Sequence, residues 1–264
     1  MKETSLKARR FVENLLGQGR YTFTREEATR KLGRSPAATY MSLYRLVNAG
    51  ALTMPRSGFY VVVDAQHRSV GALPAEWFIH DLMKDIGRPY YAGLLSAAQI
   101  HGAAHHHPQE FQVVIPERAM RPVRSGNVLI RFHGKGPFEQ TRTQDVKTPT
   151  GFIKVSTPET TAWDLVRYFK AAGGLDNVVT ILSELAEKLD AAKLKKCVKA
   201  HGELIVAQRM GYLLDRVGRR DLSKGLADWV KDAPLRPLDP AASFPASESR
   251  KWRLWINAKL EAET

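Results

Sequence analysis

Cysteine is almost absent from this chain, since Cys197 is the only one among 264 residues. No intrachain disulfide can form, which excludes the class of small disulfide-stabilised secreted domains and favours a reducing compartment. Cys197 lies in "KKCVKA", a lysine-rich helical pattern, so we expect a small packed apolar side chain there rather than a nucleophile.

Long apolar runs are also missing. The N-terminal segment "MKETSLKARRFVENLL" lacks the continuous apolar core of a secretory signal. No stretch approaches the roughly 18 apolar residues that a membrane-spanning helix needs. We therefore expect a soluble, cytoplasmic protein with no membrane partner.

The common motifs of enzymes do not occur with supporting context. There is no HExxH, GxSxG or GxGxxG, and the glycines of "GGL" at 173–175 are too closely spaced for a phosphate-binding loop. No internal repeat or low-complexity tract is found either. These absences favour a protein without enzymatic activity and without a cofactor.

Basic side chains are abundant and unevenly distributed. The net charge is +13 and the isoelectric point is near 9.9, which favours a polyanionic partner such as nucleic acid, an anionic membrane surface or an acidic protein. Residues 1–63 hold 11 basic and 4 acidic side chains, a net charge of +7. More than half of the excess charge therefore lies in less than a quarter of the chain.

The pattern of residues 5–63 predicts a winged helix-turn-helix. Apolar spacing indicates a first helix over 5–16, followed by a short strand in "YTFT". Thr24 is the expected N-cap of a second helix over 25–32, with Glu27 completing a capping box. Ser35 and Pro36 begin a third helix that ends at Gly50. "ALTMPRSGFYVVV" then predicts a strand, a turn at "RSG" and a second strand.

The third helix has the composition of a helix that enters the major groove of DNA, because its first residues are small. With Leu43 at the centre of its buried face, a helical wheel places the side chains of Pro36, Thr39, Tyr40, Leu46 and Val47 on that face. The outward side then carries Ala38, Met41, Arg45 and Asn48, with Ala37 and Ser42 on the flanks.

We predict that these outward residues contact double-stranded DNA. Arg45 would contact a phosphate or a guanine edge, and arginines at the turn and the wing tip would contact phosphates. The candidate DNA-binding residues are Arg9, Arg10, Arg34, Ser35, Ala37, Ala38, Met41, Ser42, Arg45, Arg56 and Ser57. The alternatives are a solvated basic face, or a winged helix that contacts protein instead of DNA.

The rest of the chain predicts a second domain. Residues 64–74 resemble a linker, and helices are expected over 75–86 and 93–102. Strands are expected in "EFQVVIP", "NVLIRFHG", "GFIKVST" and the final "KWRLWINAKL", whereas residues 157–231 are mostly amphipathic helices. The fold class is therefore α/β (α+β). A winged helix-turn-helix over 1–70 precedes a mixed-sheet domain over 71–264 whose second half is helical.

Two clusters in the second domain were considered as metal or catalytic sites. His105, His106 and His107 are consecutive, so their side chains diverge in a strand or a helix and do not predict a metal site. Glu159 and Asp164 lie five positions apart, about 140° around a helix. Glu159 is accounted for by its place in the first turn of a helix, where acidic residues are common. Asp164 would form a hydrogen bond in the core or face a partner.

The chain resembles the AbiEi-type antitoxins of type IV toxin–antitoxin (abortive infection) systems. Four segments carry the resemblance, in one order over nearly the whole length. They are "LYRLVNAGALTMPRSGFYVV", "YYAGLLSAAQIHGAAHHHPQEFQVVI", "KVSTPETTAWDLVRY" followed by "GGLDNVVTILSEL", and "AQRMGYLLDRVG".

The resemblance implies phage defence through a transcriptional autorepressor whose winged helix binds inverted repeats in its own promoter. It also implies that the C-terminal domain antagonises a nucleotidyltransferase toxin, directly or indirectly. The inverted repeats imply dimerisation on DNA. Two alternatives stay open at this point: a protein-interaction module that neutralises the toxin without binding DNA, and a metal-dependent nuclease using Glu159, Asp164 or the histidine run.

Overall fold

The structure is a computed structural model that describes residues 2–103, 109–243 and 247–260. The chain forms two compact units. The N-terminal unit comprises Met1–Tyr91, Gln109–Lys135 and Asp145–Lys154, and the C-terminal unit comprises Ala92–Pro108, Gly136–Gln144 and Val155–Thr264. The predicted domains, residues 1–70 and 71–264, stay a prediction.

The first part of the N-terminal unit has the element order predicted for a winged helix-turn-helix. Its elements are α1 (Lys2–Gly17), β1 (Thr22–Thr24), α2 (Arg25–Leu32), α3 (Pro36–Asn48), β2 (Leu52–Arg56) and β3 (Phe59–Val62). The strands form an antiparallel sheet in the order β1-β3-β2, in which Phe23 lies opposite Tyr60 and Leu52 opposite Val62. Gly58, at the predicted turn, has a φ of +85°.

The remaining elements alternate short strands and helices before an extended helical region. They are α4 (Ile79–Ile86), β4 (Tyr91–Ala92), α5 (Leu94–Ile100), β5 (Glu110–Pro116), β6 (Val123–Ser125), β7 (Val128–Lys135), β8 (Thr143–Thr148), β9 (Gly151–Ser156), α6 (Pro158–Arg167), α7 (Leu175–Leu185), α8 (Ala191–His201), α9 (Leu204–Arg216), α10 (Arg220–Val230), β10 (Arg236–Pro237), β11 (Ser247–Ser249) and β12 (Leu254–Ile256). Within the described residues, no helix is both long enough and apolar enough to span a membrane.

Several elements differ from the prediction. The helix expected over 75–86 begins as a 3-10 turn over Ala75–Trp77, and α4 starts only at Ile79. The short strands β6 and β8 were missed because one has three residues and the other is mostly polar and exposed. The final strand is confined to Leu254–Ile256, within the ten residues that were predicted.

The capping box predicted at the start of α2 is only half formed. The Oγ1 of Thr24 accepts a hydrogen bond from the backbone N–H of Glu27 at 3.2 Å, as expected of an N-cap. The carboxylate of Glu27 instead accepts two hydrogen bonds from the guanidinium of Arg20, at 2.8 and 3.0 Å. An ion pair therefore replaces the second bond of the box.

A small apolar core holds the winged helix together. Leu43 of α3 is fully buried, and Phe23 packs edge-on against Phe11 and stacked against Tyr60, with ring centroids 5.1 and 5.3 Å apart. The core comprises Ala8, Val12, Leu15, Phe23, Ala28, Leu43, Leu46, Leu52, Tyr60 and Val62. Every helix and all three strands of the winged helix contribute to it.

The same unit contains a mixed sheet. Strands β5 and β7 pair in parallel from Glu110 opposite Leu129 to Pro116 opposite Lys135. Strand β6 pairs with β7 in the antiparallel direction through a tight turn that contains Gly126. The Oγ atoms of Thr53 in β2 and Ser125 in β6 lie 2.6 Å apart, so a hydrogen bond joins the winged helix to this sheet.

Helix α6 is the central helix of the C-terminal unit. Its residues from Glu159 to Val166 are all buried, and the helix packs against α5, α7, α8 and α9. Thr157 is its N-cap and accepts a hydrogen bond from the N–H of Thr160, as the sequence predicted. A helix that is buried on every side is the core of its unit rather than part of its surface.

Helix α9 contains a glycine because the indole ring of Trp252 packs against its backbone. A Cβ atom at Gly211 would overlap that ring. The indole Nε1–H donates to the carboxylate of Asp215, one turn further along α9, at 2.8 Å. Lys251 and Ser223 also donate to Asp215, at 2.6 and 2.5 Å, so the C-terminal segment is attached to α9 by packing and by hydrogen bonds.

We expect opposite effects from alanine at two helical glycines. Gly225→Ala in α10 should raise the free energy of unfolding by up to about 1 kcal/mol, because alanine is the better helix former and its Cβ would meet only the flexible Lys195 side chain, at 3.4 Å. Gly211→Ala should lower the free energy of unfolding by about 1–3 kcal/mol through overpacking against Trp252. Urea unfolding of both variants measures the difference, and equal effects would contradict the assigned packing.

Candidate nucleic-acid interface

The turn between α2 and α3 is fixed by local hydrogen bonds at both sides. Gly33 ends α2 with a φ of +60°, and its N–H donates to the carbonyl oxygen of Thr29 at 3.1 Å. Ser35 begins α3, and its Oγ accepts a hydrogen bond from the N–H of Ala38 at 3.3 Å. Pro36 occupies the first turn, where no backbone donor is needed. These residues form the short turn that a helix-turn-helix requires.

Helix α3 has two distinct faces. One face is buried and consists of Thr39, Ser42, Leu43 and Leu46. The opposite side is exposed along its whole length and consists of Ala37, Tyr40, Met41, Tyr44, Arg45 and Asn48. We call these six residues the outer stripe. The predicted outward positions of Met41, Arg45 and Asn48 are confirmed. Ala37, predicted on the flank, is exposed, whereas Ala38, predicted outward, is half-buried.

Other predicted orientations on α3 are wrong. Tyr40 was placed on the buried face but is 39% exposed, and Pro36 is also exposed. Ser42, predicted on the flank as a DNA contact, is 2% exposed, and its Oγ donates to the carbonyl oxygen of Ala38 at 2.9 Å. The buried face is centred between Thr39 and Leu46 rather than on Leu43. The hydroxyl of Ser42 can be buried because it donates its hydrogen bond within its own helix.

Basic side chains surround the outer stripe. Arg45 lies on it, and Arg34 is half-buried in the turn that precedes α3. Within the described part of the chain, neither forms an ion pair, and α3 itself contains no acidic residue. Arg30 and Lys31, exposed in the last turn of α2, add two positive charges that sequence reasoning did not single out.

The predicted contacts outside α3 differ in their surroundings. Arg9 and Arg10 are exposed on α1, and Ser57 is exposed in the wing turn. Arg56 at the wing tip is only half-exposed, and its Nη1 donates to the carboxylate of Asp85 in α4 at 2.5 Å. Part of its positive charge is therefore compensated by Asp85, although the guanidinium is 48% exposed and has further N–H donors.

Helix α4 also braces the other side of the wing sheet. The Oγ1 of Thr22 in β1 donates to the carboxylate of Asp81 at 2.5 Å. Next to it, the rings of Tyr21 and Trp77 pack edge to face with centroids 5.2 Å apart. The wing is thus supported on both of its edges by residues 77–85.

In the C-terminal unit, two of the quoted sequence segments lie against each other. The Nε2–H of His101, from "SAAQIHG", donates to the carbonyl oxygen of Ser156 at 2.8 Å. Ser156 begins "STPETTAWDL", and its Oγ lies 2.7 Å from the Oγ1 of Thr161. Lys188 donates to the carbonyl oxygen of His101. These contacts are structural, and they explain the polar residues within two otherwise apolar segments.

Glu159 and Asp164, the two acidic residues weighed as catalytic, are buried in the core of the C-terminal unit. Glu159 is buried and accepts a hydrogen bond from the N–H of Asp190 at 3.3 Å, and Asp164 is fully buried within α6. Cys197 is buried, as expected. Among the described residues, no group of three or more acidic, histidine or cysteine side chains could hold a metal ion. His105, His106 and His107 lie outside the described residues.

Two family models match the chain. Residues 10–63 match a model described as "Transcriptional regulator, AbiEi antitoxin". Residues 91–216 match a model described as "AbiEi antitoxin C-terminal domain". The first covers most of the winged helix, and the second covers α5 to α9. No curated protein shows significant sequence similarity to the chain.

Solved structures include one similar fold of nearly the same length. The RV2827C protein from Mycobacterium tuberculosis matches with a TM-score of 0.72 and 17% identity, over 95% of this chain and 91% of that one. At this identity the similarity shows the fold alone. The antibiotic-resistance factor ANT(2'')-Ia matches with a TM-score of 0.32 and 13% identity, over 46% of this chain and 86% of its own.

His101 predicts a pH-dependent loss of stability. Burial lowers the pKa of His101, and the positive charge of Lys188 lowers this pKa further. The hydrogen bond to the Ser156 carbonyl and the negative charge of Glu159 raise the pKa in part, but it remains lowered. Because the pKa in the folded chain lies below the unfolded value of about 6.5, the stabilisation is complete above that pH and decreases as the pH falls below it. Between pH 7.5 and 5.5, His101→Gln should therefore lose less stability than the unmodified chain.

Urea unfolding at the two pH values measures this difference. An identical pH dependence in His101→Gln and the unmodified chain would contradict the assigned role of His101.

Proposed function

The chain belongs to the AbiEi antitoxin family, and on that basis we propose that it is the DNA-binding antitoxin of a type IV toxin–antitoxin system. Membership gives it the general roles of antitoxin and transcriptional regulator. The finer proposal is that the winged helix binds inverted repeats in the promoter of its own operon and represses it. The C-terminal domain then antagonises a nucleotidyltransferase toxin, directly or indirectly.

The observation that carries the DNA-binding part is the outer stripe of α3 with its surroundings. A helix that follows a short capped turn exposes small, apolar and basic side chains without any acid. Arginines and lysines on the flanking elements supply positive charge that attracts the DNA phosphates. The positive charge concentrated in residues 1–63 supports the same reading.

Repression of the chain's own operon is proposed because an antitoxin must match the supply of its toxin. Inverted repeats place two half-sites about one helical turn apart or a multiple of it, so two chains bound to them face each other. Dimerisation on DNA is therefore part of the proposal. The antitoxin role belongs to the part of the chain that matches the C-terminal family model.

Charge reversal on α3 and in its turn tests this division of roles. The double variant Arg34→Glu and Arg45→Glu should lower affinity for the upstream DNA at least tenfold, because two cations near phosphates become anions. Toxin neutralisation in cells should persist when the variant is expressed from an independent promoter. Gel shifts and a growth assay with the toxin measure the two outcomes.

The design of this experiment follows from the contacts of Arg56. Reversal at Arg56 would place a carboxylate against Asp85 and could disturb the fold, so that residue is left unchanged. Arg121→Glu, at an exposed position between β5 and β6, is the matched control and should retain affinity for DNA. Retained DNA binding in the double variant would contradict the assignment of Arg34 and Arg45 to the DNA contact. Joint loss of neutralisation would favour a protein-interaction module.

Binding to the upstream DNA should depend strongly on salt. If Arg9, Arg10, Arg34 and Arg45 each neutralise one phosphate, affinity should fall about a hundredfold between 50 and 200 mM salt through counterion release. Fluorescence anisotropy with a labelled promoter fragment measures the slope. A nearly flat slope would contradict the electrostatic part of the proposal.

Cleavage of nucleic acid is the enzymatic alternative. Metal-dependent cleavage that disappears on alanine substitution at Glu159, at Asp164 or in the histidine run would favour it. The families matched by the chain are regulatory, which is consistent with a protein that is not an enzyme.

A further inference from the structure

The outer stripe of α3 is unusually apolar in its middle. Its residues are spaced at positions i, i+3, i+4, i+7, i+8 and i+11, so they form one continuous line along the helix. Tyr40, Met41 and Tyr44 occupy the middle, with exposures of 39%, 47% and 47%. Among the described residues, nine large hydrophobic side chains are exposed, and three of them fall within these five positions.

The three side chains form one surface rather than three separate ones. The rings of Tyr40 and Tyr44 stack with centroids 6.1 Å apart and an angle of 25° between their planes. Met41 follows Tyr40 directly and lies on the same exposed side of the helix. Contiguous exposed apolar surface of this kind marks an interaction site more often than scattered apolar residues do.

The charges around this surface indicate what covers it. Arg45 continues the stripe, Arg34 precedes the helix, and Arg30 and Lys31 end α2, whereas α3 carries no acid. An apolar strip between positive charges fits the major groove of DNA, where base edges form the floor and phosphates form the walls. A purely apolar protein surface would offer no partners for these charges.

The chemistry of the base edges indicates which bases this surface can recognise. In the major groove, guanine and adenine are recognised by paired hydrogen bonds from arginine or from amide side chains, whereas thymine presents a 5-methyl group. Tyr40, Met41 and Tyr44 cannot form such paired hydrogen bonds, but their rings and thioether can pack against methyl groups. Arg45 and Asn48, towards the C-terminal end of the stripe, can supply the paired hydrogen bonds.

We propose that Tyr40, Met41 and Tyr44 read thymine methyl groups at the centre of each operator half-site. This inference rests on the proposed DNA-binding function and names the bases that the same surface selects. The N-terminal part of a recognition helix is the part that contacts base edges, and Tyr40 and Met41 lie there. The operator half-site therefore contains thymines where these three side chains meet the groove.

The test replaces thymine by deoxyuridine, which removes only the methyl group. The protected region of the upstream DNA is first located by footprinting with the full chain, and each thymine in a half-site is then replaced singly. Loss of one methyl contact should weaken binding about fourfold, since burial of one such group contributes about 0.8 kcal/mol. Replacement of thymines outside the protected region should have no effect.

Protein variants identify the side chain that contacts each thymine methyl group. In Met41→Ala, deoxyuridine at the position facing Met41 should no longer weaken binding, whereas penalties at other thymines should remain. Met54→Ala is the matched control, because Met54 is similarly exposed but lies on β2, and it should leave every penalty unchanged. Affinity for unrelated DNA at low salt should be the same in all variants.

The outcomes separate this inference from the proposed function. Specific binding that is insensitive to every deoxyuridine replacement overturns the thymine inference and leaves DNA binding intact. Absence of any specific binding to the upstream DNA overturns both. If Met41→Ala instead abolishes self-association in the absence of DNA, the surface is a contact between two copies of the chain, and the inference is wrong.

Discussion

The orientation of α3 depends on the four side chains that pack beneath it. Leu43 and Leu46 enter the apolar core, whereas Thr39 and Ser42 fill the remaining space between them and the rest of the winged helix. Because the side chains of a helix have a fixed angular spacing, this choice also determines which residues face outward. The exposed tyrosines and arginine of α3 are therefore positioned by the buried residues on the opposite face of the helix.

The winged helix could be predicted from the sequence because its signals are local. Thr24, Gly33, Ser35 and Pro36 act on backbone groups within four residues of themselves, and the glycine in the wing turn acts on its own φ. The rotation of α3 was not predicted correctly, because serine was treated as polar and tyrosine as apolar. In the structure, the hydrogen bond from the Ser42 hydroxyl to the carbonyl oxygen of Ala38 allows that polar side chain to be buried.

Contacts between distant residues lay beyond sequence reasoning. Arg56 and Asp85 are 29 positions apart, and nothing in the pattern around either one indicates the other. The same holds for Lys188, whose partner in "SAAQIHG" lies 87 positions earlier. Thus candidate residues on α3 could be named in advance, whereas the ion pair between Arg56 and Asp85 could be seen only in three dimensions.

The packing of Trp252 against Gly211 has a consequence for synthesis of the chain. Ribosomes produce proteins from the N-terminus, so α9 is completed well before the indole that covers its glycine, which follows 41 residues later. Until then the helix has a groove on its surface where the ring belongs, and Asp215 lacks its indole and Lys251 donors. The packing around Gly211 and Asp215 therefore forms only after Lys251 and Trp252 have been synthesised.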